Sequence, residues 1–162
     1  MDVITSALSG LTNDLLTFSS LLFHDVLLSF LLLALVLLLL ARFKFPKIFP
    51  LLIACFLLLV LLDPLKQAFA IPRPCTSLPA KIPCPADAGF PSGHAAIAGI
   101  FVLSAVGTAF FYPFLLLGAF ISLSRVYLGI HVFSDVVAGI VLGMVLYAIS
   151  ERLYYGYWRP VK

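Results

Sequence analysis

Residues 26–41 read VLLSFLLLALVLLLLA, a stretch without a charged side chain. Together with the apolar residues 21–23 in front of it, the run approaches the roughly 20 residues that a helix needs to cross a bilayer. No basic residue precedes it, and Arg42 and Lys44 follow where the small residues of a cleavage site would lie. The stretch therefore predicts a first transmembrane helix and not a cleaved signal peptide.

The composition of the whole chain supports a membrane protein. Its 162 residues are 63% hydrophobic and 10% charged, against about 45–50% and about 25% in soluble proteins. Such a chain cannot cover an apolar core with a polar surface, so lipid must be its solvent. The ten lysines and arginines are spread along the sequence, which excludes a basic patch for nucleic acid.

Further apolar runs follow the first one, at about residues 48–62, 95–112, 113–123 and 132–149. Residues 1–20 differ, because apolar side chains recur there at helical spacing between polar ones, as in a helix that lies in the membrane interface. The sequence thus predicts an all-α, polytopic membrane helical bundle, a single domain over residues 1–162. It has about five transmembrane helices and an N-terminal interfacial helix.

The distribution of positive charge predicts the orientation in the cell membrane. One side of the predicted spans carries Arg42, Lys44, Lys47, Arg152, Arg159 and Lys162, and the other carries Lys66, Arg73, Lys81 and Arg125. Cytoplasmic loops are enriched in lysine and arginine, so the side with six is expected to be cytoplasmic. The segment 66–94 would then face the extracytoplasmic side.

Segment 66–94 contains six prolines between positions 72 and 91, which predict an irregular loop. Cys75 and Cys84 lie in it, and they are either disulfide partners in an oxidising exterior or two buried thiols. Lys81 and Asp87 are expected to be solvated loop charges, while Asp63 lies one turn before Lys66 and would pair with it.

Polar residues near a membrane are costly and indicate function. His131 and Asp135 are four residues apart on a predicted helix, so their side chains would share one face. A carboxylate that accepts one imidazole N–H fixes the tautomer, leaves the other nitrogen basic and stabilises the charge that develops when it attacks. His131 is therefore the candidate nucleophile.

His94 lies on the same membrane face and begins the predicted third span, directly after Ser92 and Gly93. Unpaired amides and the helix dipole at such a start favour an anion such as phosphate. Three cations, Lys66, Arg73 and Arg125, would add to this site. No cluster of carboxylates is available to hold a metal, so the pattern predicts phosphoryl transfer without a metal ion.

The same segments resemble the type 2 phosphatidic acid phosphatase superfamily. Its pattern is Lys-x6-Arg-Pro, then Pro-Ser-Gly-His, then Ser-Arg-x5-His-x3-Asp, and all three parts occur here in order between residues 66 and 135. The resemblance implies that His131 forms a phosphohistidine, Asp135 orients it and His94 protonates the leaving oxygen. The residues that it implies for holding the phosphoryl oxygens are Lys66, Arg73, Ser92, the Gly93 amide and Arg125. It implies no cofactor.

The expected activity is hydrolysis of a lipid phosphate or diphosphate from the outer leaflet. Five predicted spans and an outward site resemble the bacterial and archaeal branch that recycles polyprenyl diphosphate carriers. Phosphatidylglycerophosphate and phosphatidic acid are alternative substrates, and a lipid phosphotransferase would use the same site. A transporter is disfavoured because the charges converge on one face and no internal repeat is visible.

Overall fold

The computed structural model describes residues 3–23 and 26–158, and these residues form helices and no strand. Arg159 and Lys162, which enter the charge count above, lie outside the described residues. The helices are α1 (Val3–Gly10), α2 (Asp14–Leu21), α3 (Val26–Arg42), α4 (Ile48–Phe69), α5 (Gly93–Ala105), α6 (Phe111–Tyr127) and α7 (Phe133–Trp158), with a short 3-10 helix at Pro74–Thr76. The all-helical class is confirmed.

Two of these helices, α4 and α7, are long and apolar enough to cross a membrane. The other apolar helices are shorter, and the 13 residues of α5 cover about 20 Å of a hydrocarbon core of about 30 Å. The predicted run 95–112 is interrupted because α5 ends at Ala105 and Gly107 adopts a left-handed φ of 79°. α6 and α7 instead extend beyond their predicted runs.

The N-terminal segment forms two short helices where the sequence predicts one. Asn13 separates them, and its side-chain oxygen accepts the amide of Leu16 at 2.9 Å, which caps the start of α2. Apolar side chains such as Val3, Leu15 and Phe18 are exposed on this segment.

Close packing of α5 on α7 places the start of α5 beside the start of α7. Gly139 and Gly143 of α7 lie against the backbone carbonyls of Ser92 and Ala96, where any Cβ atom would collide. At the end of this contact, the Ser92 amide donates to the Asp135 carbonyl at 3.1 Å. The motif around Ser92 and the motif around Asp135 are therefore adjacent.

The loop between α4 and α5 is shorter than the predicted segment 66–94. Lys66 belongs to the last turn of α4, which ends at Phe69 and is capped by Ala70 in a left-handed conformation with φ of 49°. Cys75 and Cys84 form a disulfide with Cα atoms 5.5 Å apart, which answers the question that the spacing left open. The bridge folds the proline-rich loop back on itself.

Candidate active site

A histidine and an aspartate lie at the start of α7. His131 is 2% exposed and precedes the helix by two residues, whereas Asp135 is in its first turn. The sequence predicts both on one helix, but the pair forms across the helix start. Nδ1 of His131 is 3.3 Å from an Asp135 oxygen, which also accepts the Val132 amide at 3.0 Å.

The other ring nitrogen of His131 faces a cation. Nε2 lies 3.0 Å from Nη1 of Arg73, and a guanidinium can only donate. Nε2 must therefore carry the lone pair, while Nδ1 carries the proton and donates it to Asp135. This is the tautomer that a nucleophilic imidazole requires.

The surroundings of His131 also favour its neutral form. Burial lowers the pKa of His131, and although the bond to Asp135 opposes this effect, the charge of Arg73 adds to it, so that the net shift is downward. The imidazole consequently keeps its lone pair at a lower pH than an exposed histidine would.

Arg73 connects the His131–Asp135 pair to the α4–α5 loop. Its side chain is 6% exposed, and Nη1 donates to the carbonyl of Ile130 at 3.2 Å in addition to His131. Nε donates to the backbone carbonyl of Asp87 at 3.0 Å, and Nη2 donates to both carboxylate oxygens of Asp87 at 2.8 and 3.0 Å. Every face of the guanidinium fork is thus engaged.

Asp87 also pairs with Lys66. Asp87 is exposed, as the sequence predicts for a loop charge, but it is also ion-paired, and Lys66 pairs with Asp87 and not with Asp63. Burial raises the pKa of Asp87, but the hydrogen bonds and charges of Lys66 and Arg73 outweigh burial and hold it below its usual range. The sequence gives one indication of this pairing, which is that Asp87 is acidic and lies between the motif of Lys66 and Arg73 and the motif at residues 91–94.

The start of α5 contributes backbone and hydroxyl groups. Gly93 opens this helix, and a Cβ atom there would lie 2.7 Å from Cδ2 of Leu62, so that the leucine side chain would have to move. Ser92 is fully buried, and its hydroxyl has no hydrogen-bond partner among the described residues. A buried hydroxyl without a partner is costly, and a phosphoryl oxygen would satisfy it. His94 follows in the first turn and is half-buried.

Arg125 is fully buried, but its side chain donates hydrogen bonds to segments other than those that carry His131 and Asp87. Nη1 and Nη2 donate to the carbonyls of Phe23 and Ser20 at the end of α2, at 3.1 and 3.0 Å, and the hydroxyl of Ser124 accepts two more bonds. The structure therefore links Lys66, Arg73, His131 and Asp135 in one chain of contacts. Arg125 is held by α2 outside that chain.

The N-terminal segment is a part of the site that the sequence did not predict. The Thr5 hydroxyl accepts the amide of Phe133 at 2.9 Å, at the first residue of α7. Lys81, expected to be solvated, donates to the carbonyls of Ser9 and Tyr127 and lies 4.2 Å from the centre of the Tyr127 ring. These hydrogen bonds connect α1 with the start of α7, next to His131, and with the end of α6.

The site can therefore present a basic nitrogen and two buried cations to one anion. A nitrogen nucleophile that an aspartate orients, next to Lys66 and Arg73, suits attack on a phosphorus atom. The opening turn of α5 adds amides with the right polarity for the same group.

Comparisons with known proteins identify the family and the fold. The sequence profile of the PAP2 superfamily matches residues 47–159. A crystal structure of Aquifex aeolicus LpxE is similar, with a TM-score of 0.77 and 26% identity over 92% of this chain and 93% of that chain. No curated protein sequence gives a significant match. The motifs, the helical fold and the profile agree, and the chain belongs to the PAP2 superfamily.

Proposed function

We propose that this protein is an integral membrane lipid phosphatase that hydrolyses a lipid phosphate or diphosphate through a phosphohistidine on His131. The observation that supports the proposal is the environment of Nε2 of His131. This nitrogen carries the lone pair of the ring and lies 3.0 Å from Nη1 of Arg73. An anion that binds to Arg73 would bring its phosphorus atom within reach of this nitrogen.

The proposed reaction has two steps. Nε2 of His131 attacks phosphorus, the bond to the leaving oxygen breaks, and His94 gives that oxygen a proton. A water molecule then attacks the phosphohistidine, His94 takes a proton from it, and inorganic phosphate leaves with Nε2 restored. Asp135 stabilises the positive imidazole of the intermediate through its contact with Nδ1.

Charge neutralisation by side chains is the proposed substitute for a metal ion. Lys66 and Arg73 already hold an anionic group, the carboxylate of Asp87. The hydroxyl of Ser92 and the amide of Gly93 would complete the binding of the phosphoryl oxygens, and Arg125 is proposed to add long-range positive charge. Preorganised donors of this kind act where transition-state charge develops.

A shallow, open apolar groove along α7 is consistent with a lipid substrate. It has a volume of about 790 Å³ and runs along α7 from Phe133, two residues after His131. Its lining is Phe133, Ser134, Val137, Ala138, Val141, Leu142 and Val145. A tail that lies in this groove would leave its phosphate near His131, and we propose polyprenyl diphosphate as the substrate.

The proposal is tested by phosphate release from purified protein with no acceptor lipid, which excludes a phosphotransferase. Polyprenyl diphosphate, phosphatidylglycerophosphate, phosphatidic acid and glycerol phosphate would be compared in EDTA. We expect kcat/KM for the long-chain lipids to exceed that for glycerol phosphate by roughly 100-fold or more, because each buried CH₂ contributes about 0.8 kcal/mol. Equal efficiency for glycerol phosphate would contradict a lipid substrate. Activity that is lost in EDTA and restored by Mg²⁺ would contradict metal independence.

The proposed membrane arrangement adds α3, α5 and α6 to the two long helices as a five-span bundle, with the site on the extracytoplasmic side. The disulfide between Cys75 and Cys84 supports this side, because disulfides persist in oxidising compartments.

Labelling across α4 tests this orientation. Gln67 and Lys44 are exposed near opposite ends of α4, and cysteines would be placed at each in a Cys55→Ser background that keeps the disulfide. An impermeant thiol reagent added to intact cells is expected to label the cysteine at position 67 and not the one at 44. The reverse pattern would place the site in the cytoplasm.

A further inference from the structure

We infer that Asp87 is a built-in competitor of the substrate phosphate, whose carboxylate occupies Lys66 and Arg73 until a phosphoryl group displaces it. The inference rests on the proposed function and extends it to a residue outside the three motifs. Asp87 would then set the affinity of the site for phosphate and help to expel the product.

The geometry of the three side chains carries this inference. The Asp87 carboxylate receives two bonds from Nη2 of Arg73 and pairs with Lys66 at the same time. A phosphoryl group has the same need for a planar donor fork and a second cation. The carboxylate therefore uses the donors that a phosphate would use.

Exposure shows how the exchange can occur. The Asp87 side chain is 48% exposed, while those of Lys66 and Arg73 are 10% and 6% exposed. Asp87 thus covers the cations from the solvent side, and its carboxylate can move outward without the cations moving. The bonds that fix the loop backbone, from Nε of Arg73 to the Asp87 carbonyl and from the Gly89 amide to the Ile71 carbonyl, do not involve the carboxylate.

Charge gives the exchange a direction. Lys66 and Arg73 carry two positive charges, which a phosphate dianion matches and a single carboxylate does not. The dianion therefore wins when it is present, and the carboxylate returns after the product begins to leave. When the carboxylate occupies the cations in the absence of phosphate, only a fraction of the molecules can bind an anion. The apparent dissociation constant of every anion is then raised by the inverse of that fraction.

The test is the binding of inorganic phosphate to the purified wild-type protein, to Asp87→Asn and to Asp63→Asn, measured by calorimetry in detergent. Asp63 is exposed and one turn from Lys66 but outside the site, so its variant is the matched control. We expect Asp87→Asn to bind phosphate about tenfold more tightly, as when a carboxylate present in about nine of ten molecules is removed. Asp63→Asn should match the wild type.

The outcomes separate this inference from the proposed function. If Asp87 only positions Arg73, Asp87→Asn will bind phosphate more weakly or equally, which overturns the inference and leaves the function intact. If none of the three proteins binds phosphate, the inference fails, whereas the proposed function is decided by phosphate release from the lipid.

A measurement on the wild type covers the case in which the variant does not fold. In wild-type protein labelled with ¹³C, the chemical shift of the Asp87 carboxylate carbon should move when phosphate saturates the site, because the carboxylate loses its contacts with Lys66 and Arg73. An unchanged chemical shift would overturn the inference.

Discussion

Replacing His131 with alanine is expected to abolish phosphate release from the lipid substrate, with a loss of about five to six orders of magnitude, as when the nucleophile of a catalytic unit is removed. The imidazole is the proposed nucleophile, and it contacts both Arg73 and Asp135. Initial rates of phosphate release in detergent measure the loss.

Folding should survive this substitution. Arg73 keeps the carbonyl of Ile130 and its bonds to Asp87, and Asp135 keeps the amide of Val132. Thermal unfolding of the purified variant would check this. His24→Ala is the matched control, since His24 belongs to no motif, although it lies outside the described residues. Turnover of folded His131→Ala near the wild-type rate would remove His131 from the mechanism.

The sequence was sufficient to predict that His131 and Asp135 lie in contact, because their spacing is local. His131 and Asp135 are four positions apart at the start of α7, and Ser92 and Gly93 mark the start of α5. The hydrophobic runs likewise located the apolar helices. Their ends were less predictable, since a turn such as the one at Gly107 depends on packing as well as on hydrophobicity.

Contacts between distant segments could not be predicted in this way. Asp87 reaches Lys66 and Arg73 because a disulfide and several prolines fold the loop back, and no spacing rule encodes that path. Arg125 was assigned to phosphate from its motif, yet its bonds run to α2, more than 100 positions earlier in the chain. Tertiary packing decided both partners.

The N-terminal segment shows the same limit. Its amphipathic pattern predicted a helix in the membrane interface, but not that Thr5 would accept the amide of Phe133 beside the candidate nucleophile. An exposed apolar face and a polar contact with the site occur on the same short helix. Helical periodicity in the sequence predicts the exposed apolar face but gives no information about the polar contact.

The most direct test of the account is the stereochemical course of hydrolysis at phosphorus. A lipid thiophosphate made chiral by oxygen isotopes would be hydrolysed in water that contains a third oxygen isotope, and the configuration of the released thiophosphate would be determined. Each in-line displacement inverts phosphorus, so a phosphohistidine on His131, formed and then hydrolysed, predicts overall retention. Inversion would mean that water attacks the lipid phosphate directly and would contradict His131 as the nucleophile.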